Sequence, residues 1–241
     1  MKLYQCILYK NRCYQKQQYI TPTRIVVHAT GANNTTLKRY VQPHATQTDG
    51  MGGMTREEML KLLGTNIYNN SWNDAGPAVC VNAFIGKLAD GSIATVQTLP
   101  WTMRPWGCGS GSKGSFNNCA IQFEICEDNL KNADYCKATF NEAVELCVKL
   151  CKEYNINPDM IVSHKEACAM GYASNHGDPE HWWSKHGLTM NLFRKNVKEA
   201  LEAQKEKKTI YRVQVGAFTD IKNAEAYLKK LKAAGFDGFI K

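Results

Sequence analysis

Apolar and polar positions follow two periods along this chain, and the change from one to the other marks its elements. "RIVVHAT" is a short β-branched run ending at His28, the pattern of a buried strand. "CAIQFEICE" alternates strictly: Ile121, Phe123 and Ile125 point one way, and Gln122, Glu124 and Cys126 the other. "VNAFIGKL" and "IATVQTL" read as two strands joined by a turn at Ala89, Asp90 and Gly91. "MIVSH" is a further short strand ending at His164. "LYQCILY" and "RCYQ" flank Lys10 and Asn11 and predict a hairpin. Helical spacing takes over in "TREEMLKLLGTNIYN", capped at Thr55 with acids in its first turn, and again in the amphipathic "ATFNEAVELCVKLCKEYN". The Gly/Ser-rich stretch from Gly107 to Gly114 is a loop.

"NLFRKNVKEALEAQKEKK" is a helix whose apolar face fades into charge, which suits a linker. Beyond it, "IYRVQVGAF", "IKNAEAYLKKLKAAG" and "FDGFIK" predict strand, helix and strand, a small βαβ unit. The fold class is therefore α/β: a central mixed β-sheet flanked by helices over residues 1–193, a helical linker over 194–208, and the βαβ unit over 209–241.

Composition changes this picture in three places. First, ten cysteines accompany no export signal, no CxxC pair occurs, and Cys147 and Cys151 sit at helical spacing. We expect reduced thiols acting as small hydrophobes, in a protein made in the cytoplasm without a signal peptide. Second, the net charge of +8 is concentrated at the end: from Arg194 onward, twelve Lys or Arg face six Asp or Glu. That suits a polyanionic partner, although no basic-aromatic motif points to nucleic acid. Third, no apolar run approaches the ~18 residues of a membrane span.

The candidate chemistry lies in "SHKEACAMGYASNHGDPEHWW" and at His28. If the strand-end residues His28 and His164 meet, a catalytic zinc needs a third protein ligand and an open position for water. Asp178, His176, Cys168 and His181 are the candidates.

"RIVVHATGANN", "VNAFIGKLADGSIATVQTLPW", "NNCAIQFEICED" and "SHKEA…NHGDPEHWW", in that order, resemble the zinc-dependent N-acetylmuramoyl-L-alanine amidases of type 2, relatives of the peptidoglycan recognition proteins. The resemblance implies a Zn2+ held by His28, His164 and Asp178, with Glu124 in acid/base work. It also implies that His176 stabilises the transition state, where many members have a lysine. Cys168, four residues after His164, is the rival third ligand. The family often reads tryptophan-histidine where this chain has Trp106-Gly107, and some members have a tyrosine at Asn82. Trp106, Asn82 and Trp182 are the substrate-lining candidates.

"YRVQVGAF" with "AAGFDGFI" resembles one half of a SPOR repeat, a module that binds peptidoglycan glycan strands. A lone half exposes a sheet edge, so a homodimer through this segment is expected. The implied function is a peptidoglycan hydrolase of the endolysin kind, cleaving between N-acetylmuramic acid and L-alanine at the wall after release. The alternatives are a recognition module without catalysis, and a cysteine peptidase using Cys108 or Cys168.

Overall fold

The computed structural model describes residues 1–208 and 214–240. In chain order its elements are β1 (Leu3–Gln5), α1 (Arg12–Gln15), β2 (Arg24–Ala29), α2 (Arg56–Leu63), β3 (Ala83–Lys87) and β4 (Ile93–Gln97). Then come β5 (Ala120–Ile125), α3 (Ala133–Tyr154), β6 (Ile161–Ser163), α4 (His164–Ala169), α5 (Glu180–Trp183), α6 (Met190–Lys208) and α7 (Ile221–Ala233). Six strands form one mixed sheet in the order β1-β4-β3-β5-β2-β6. Only the β3–β4 hairpin is antiparallel.

The strict alternation of β5 decides what each face holds. Ile121, Phe123 and Ile125 join Ile25, Val27 and Ala29 of β2 under α3, whose Phe140, Ala143, Cys147 and Leu150 complete a continuous core. Cys147 and Cys151 are buried there, and burial pushes both thiols up, Cys151 to about 12, so they behave as apolar side chains. All ten cysteines are free. On the opposite face the apolar packing is split. One cluster gathers around Phe84, Val96 and Leu37, another around Val26, Phe116 and Val162.

Three expectations are corrected. The hairpin at residues 3–15 does not form: β1 pairs in parallel with β4, and Arg12–Gln15 is a helical turn. Asn11 is the reason. It caps that turn through Cys13 N–H while its Nδ2 donates to Trp72 O and Val79 O, so it anchors a loop instead of turning a hairpin. Second, "MIVSH" ends as a strand at Ser163, and His164 opens α4, because Ser163 and Glu166 form a reciprocal capping box. Third, the expected βαβ unit shows only its helix, α7, among the described residues. Its first strand falls partly on residues 209–213, outside the described residues, and 214–218 and 236–240 are irregular. An extended segment needs a ladder partner for its backbone groups, and neither segment has one among the described residues.

The chain divides into two compact units, Met1–Glu202 and Ala203–Lys241. The first part of the charged helix α6 belongs to the former. Phe193 and Val197 are buried in the core, and Arg194 grips both Glu166 carboxylate oxygens, at 2.8 and 3.0 Å. No helix among the described residues is long and apolar enough to cross a membrane.

Candidate metal centre

Parallel pairing brings the site together. His28 on β2 lies opposite Glu124 on β5, and Val27 lies opposite Ser163 on β6, so His164 emerges beside His28 at the carboxyl ends of adjacent strands. The loop after α4 returns Asp178 to the same point, where its Oδ2 accepts from Ala29 N–H at 3.2 Å. His28 Nδ1 and His164 Nδ1 are 3.0 Å apart. His28 Nδ1 is 3.4 Å from Asp178 Oδ2, and His164 Nδ1 is 3.6 Å from Asp178 Oδ1. All three residues are buried, and their ligand atoms lie within 4.8 Å of one another, a set able to hold a metal ion. A tetrahedral ion with bonds of about 2.0–2.2 Å separates its ligand atoms by roughly 3.3–3.6 Å, which these spacings approach. The donor set also fits: two neutral imidazoles and one carboxylate. Cys168 lies outside this group, half-buried against the Phe116 cluster.

Charge within the site is ordered by burial and contact. For Asp178, burial opposes ionisation, yet the hydrogen bond and charge of His28 prevail and hold its pKa at about 2. His164 is pulled down to about 4, first by burial and then by the neighbouring His28 charge. His28 is also disfavoured as a cation by burial, but Asp178 and Glu124 outweigh this and raise it. Glu124 is pushed up to about 7, chiefly by burial, with His28 opposing and Asp178 and Glu127 adding. Its Oε2 is buried and has no hydrogen-bond partner among the described residues.

These groups line an open cleft of roughly 790 Å³. Trp106 and His176 stand on its walls, the latter exposed and stacked on His164 with ring centroids 4.6 Å apart. Two expected lining residues are elsewhere. Trp182 is fully buried in the core beside Tyr135 because the short helix α5 turns its apolar side inward. Asn82 is also fully buried. It donates to Pro100 O and Met103 O, and its Oδ1 accepts from Gln122 N–H, so it clamps the backbone of β5.

Sequence reasoning missed Arg104 on the cleft wall and Gln122 beneath it, while His181, one of the candidate third ligands, lines the cleft outside the three-residue group. His181 Nε2 meets the buried Glu127 at 2.8 Å, and that hydrogen bond raises its pKa. The signal for Gln122 was present, since it shares a strand face with Glu124.

The sequence matches the N-acetylmuramoyl-L-alanine amidase family over residues 18–181 and the SPOR domain over residues 192–241. It is 30% identical over 107 residues to the N-acetylmuramoyl-L-alanine amidase CwlA of a Bacillus species, covering 41% of this chain and 42% of that protein. It is 41% identical over 70 residues to the N-acetylmuramoyl-L-alanine amidase CwlH of Bacillus subtilis, covering 29% of this chain and 27% of that one. The chain thus spans less than half the length of these curated relatives. Among solved structures, the Staphylococcus aureus hydrolase AmiA superposes with a TM-score of 0.52 at 17% identity, over 80% of this chain and 82% of that one. The catalytic domain of XlyA does so with a TM-score of 0.51 at 22% identity, over 82% and 99%. At such identities the likeness is one of fold. The family match covers most of the first unit and contains His28, Glu124, His164 and Asp178, and the chain belongs to the N-acetylmuramoyl-L-alanine amidase family.

Proposed function

We propose that this chain hydrolyses the amide bond between N-acetylmuramic acid and the L-alanine of peptidoglycan stems, with zinc held by His28 Nδ1, His164 Nδ1 and an Asp178 carboxylate oxygen. The observation that carries the reading is the meeting of those three ligands beside a buried carboxylate oxygen of Glu124 that lacks a partner. When bound, zinc polarises the scissile carbonyl and acidifies water, the help an unactivated amide needs. Glu124 takes the attacking water's proton at Oε2 and delivers it to the leaving amine of L-alanine. A pKa of about 7 suits a group that must both accept and release a proton near neutrality. His176, exposed on the cleft wall, donates toward the oxyanion that develops at the carbonyl. Trp106 offers an indole face on which a sugar ring stacks.

The cysteine-peptidase reading is disfavoured by burial, which pushes the Cys108 thiol up and away from thiolate. The basic C-terminal segment, matched to the SPOR domain, supports binding to the wall itself, as in an endolysin. Self-association through it is a separate expectation that sedimentation of the full chain measures.

The test of the activity is muropeptide release by one preparation before and after chelation, with Asp178→Ala alongside. New L-alanine amino ends on intact glycan strands, lost on chelation and in the variant, are expected. Zinc uptake without cleavage would turn the protein into a wall-recognition module, and cleavage indifferent to chelation would sink the metal reading.

A further inference from the structure

For His28 to bind a metal through Nδ1, its ring proton must sit on Nε2, and a neutral imidazole does not make that choice unaided. A chain of hydrogen bonds in the structure makes it. The chain starts at a group whose direction is fixed by covalent structure: the backbone N–H of Cys108 donates to Asn117 Oδ1 at 3.1 Å. That orients the Asn117 amide, with Nδ2 turned to Gly109 O at 3.3 Å. An amide oxygen only accepts, so the Gln122 atom 2.8 Å from Asn117 Oδ1 is the donor Nε2. The other end of that amide, Oε1, therefore faces His28 Nε2 at 3.0 Å. It too can only accept, so whenever Nδ1 is given to a metal the proton of His28 sits on Nε2 and Gln122 holds it there. Nδ1 is turned to Asp178 and His164, where the Asp178 carboxylate at 3.4 Å competes for the ring proton until a metal takes its place.

Space for this arrangement comes from Gly107. A Cβ at that position would stand 2.4 Å from Gln122 Oε1 and 2.9 Å from Val81 Cγ1. Its φ lies outside the left-handed region, so glycine serves here for room and not for backbone freedom. The departure from the tryptophan-histidine pattern and the amide at 122 are thus one feature. A side chain at 107 and the Gln122 carboxamide cannot occupy the same volume.

We propose that Gln122 is a positioning residue, seated by Gly107 and aimed by Asn117, which holds His28 as the Nε2–H tautomer and so sets the affinity of the metal centre. The inference rests on the reading of His28 as a metal ligand. Outer partners of ligating histidines are worth about 10–100-fold in metal affinity in general, and Gln122 is fully buried where such a partner belongs.

The test uses the full chain, labelled with 15N in its histidine rings, stripped of metal and read by long-range proton–nitrogen correlation at about pH 8.5, well above the ordinary histidine value. Zinc affinity is measured in parallel by competition with a chromophoric chelator. The wild-type His28 ring is expected to keep its Nε2–H without any metal, whatever Nδ1 carries. Gln122→Leu is expected to mix the two tautomers and weaken zinc about 10–100-fold. Gln122→Glu keeps an accepting oxygen toward Nε2 and restores the tautomer and most of the affinity. Gly107→Ala, which adds one methyl group, displaces the carboxamide and lowers affinity as Gln122→Leu does, and the double variant loses little more than either single one.

A His28 ring that stays Nε2–H in Gln122→Leu, with zinc affinity within about twofold of wild type, overturns the proposal. If Gln122→Leu does not fold, Gly107→Ala decides the matter by the same two readouts. A wild-type chain that takes up no zinc overturns the metal reading instead, and the metal-free spectra still decide what Gln122 does to His28.

Discussion

The two faces of the sheet are built from the same strands and hold opposite things. Under α3 the buried inward positions of β2, β3 and β5 are all apolar, and Phe140, Trp183 and Phe193 join them in one cluster. On the other face two apolar clusters lie apart, and His28, Gln122 and Glu124 occupy the middle strands between them. Period-two alternation sends successive side chains to opposite faces, so one six-residue strand serves both the core and the site. The uninterrupted face supplies the stability that lets the other keep a buried carboxylate oxygen without a partner. Substitutions on the two faces should therefore be read by different instruments.

The largest effect is expected on the site face. On the proposed reading, Asp178→Ala removes one of three zinc ligands and the charge that balances two imidazoles, so zinc should be lost and amide cleavage should fall by about 10³-fold or more. Circular dichroism should remain that of the wild type. An unfolded variant would mean that this face also holds the molecule together, and the contrast between the faces would fail. Glu124→Gln comes next. It should lower kcat by about 10²–10⁴-fold while zinc still binds, because an amide cannot take the proton from water. The unfolding free energy should move by no more than about 1 kcal/mol, since only a partnerless buried oxygen is replaced. A large loss of stability with kcat unchanged would assign Glu124 to the fold.

Trp183→Ala makes the reverse prediction on the other face. Trp183 is fully buried against Phe140 and Phe193, with centroids at 4.9 and 5.3 Å. Truncation should cost about 3–5 kcal/mol in urea unfolding, while kcat of the molecules that remain folded is retained. If kcat falls instead and stability holds, the aromatic pair serves the cleft, as the sequence expectation for Trp182 had it.

What the sequence made legible follows from this division. Alternation in "CAIQFEICE" identified the core face and the polar face of β5 before any coordinates. Thr55 announced its helix, because a capping box is a local device that four residues suffice to specify. His28, His164 and Asp178 were nameable through the family resemblance, but their meeting depends on parallel pairings between strands 136 residues apart, which no local pattern encodes. Trp182 and Asn82 were misplaced for a related reason. An indole beside a cleft loop and an asparagine before a strand look the same in sequence whether they face solvent or backbone. The hairpin at residues 3–15 failed because the backbone of β1 found a parallel partner ninety-two residues away, at Thr95 to Gln97.

The smallest effect tests the edge of the site face. His181 lines the cleft, and its Nε2 lies 2.8 Å from the carboxylate of the buried Glu127. The hydrogen bond to Glu127 raises its pKa above the ordinary 6.5, with burial opposing and the charges of Glu127 and Asp178 adding. A raised histidine pKa means that the folded chain holds this proton more tightly than the unfolded one. The stabilisation is therefore complete below about pH 6.5, where both states are protonated, and disappears as pH rises through the folded value. Half-exposed pairs are screened, so its size should stay under about 1 kcal/mol. Melting of metal-free wild type and His181→Gln should show a wild-type advantage near pH 6 that has shrunk by about pH 9. Metal-free protein is needed because a divalent cation nearby would itself shift His181. An advantage that grows with pH would mean that Glu127 holds a neutral imidazole, and His181 would then belong with the packing of this face and not with its charge.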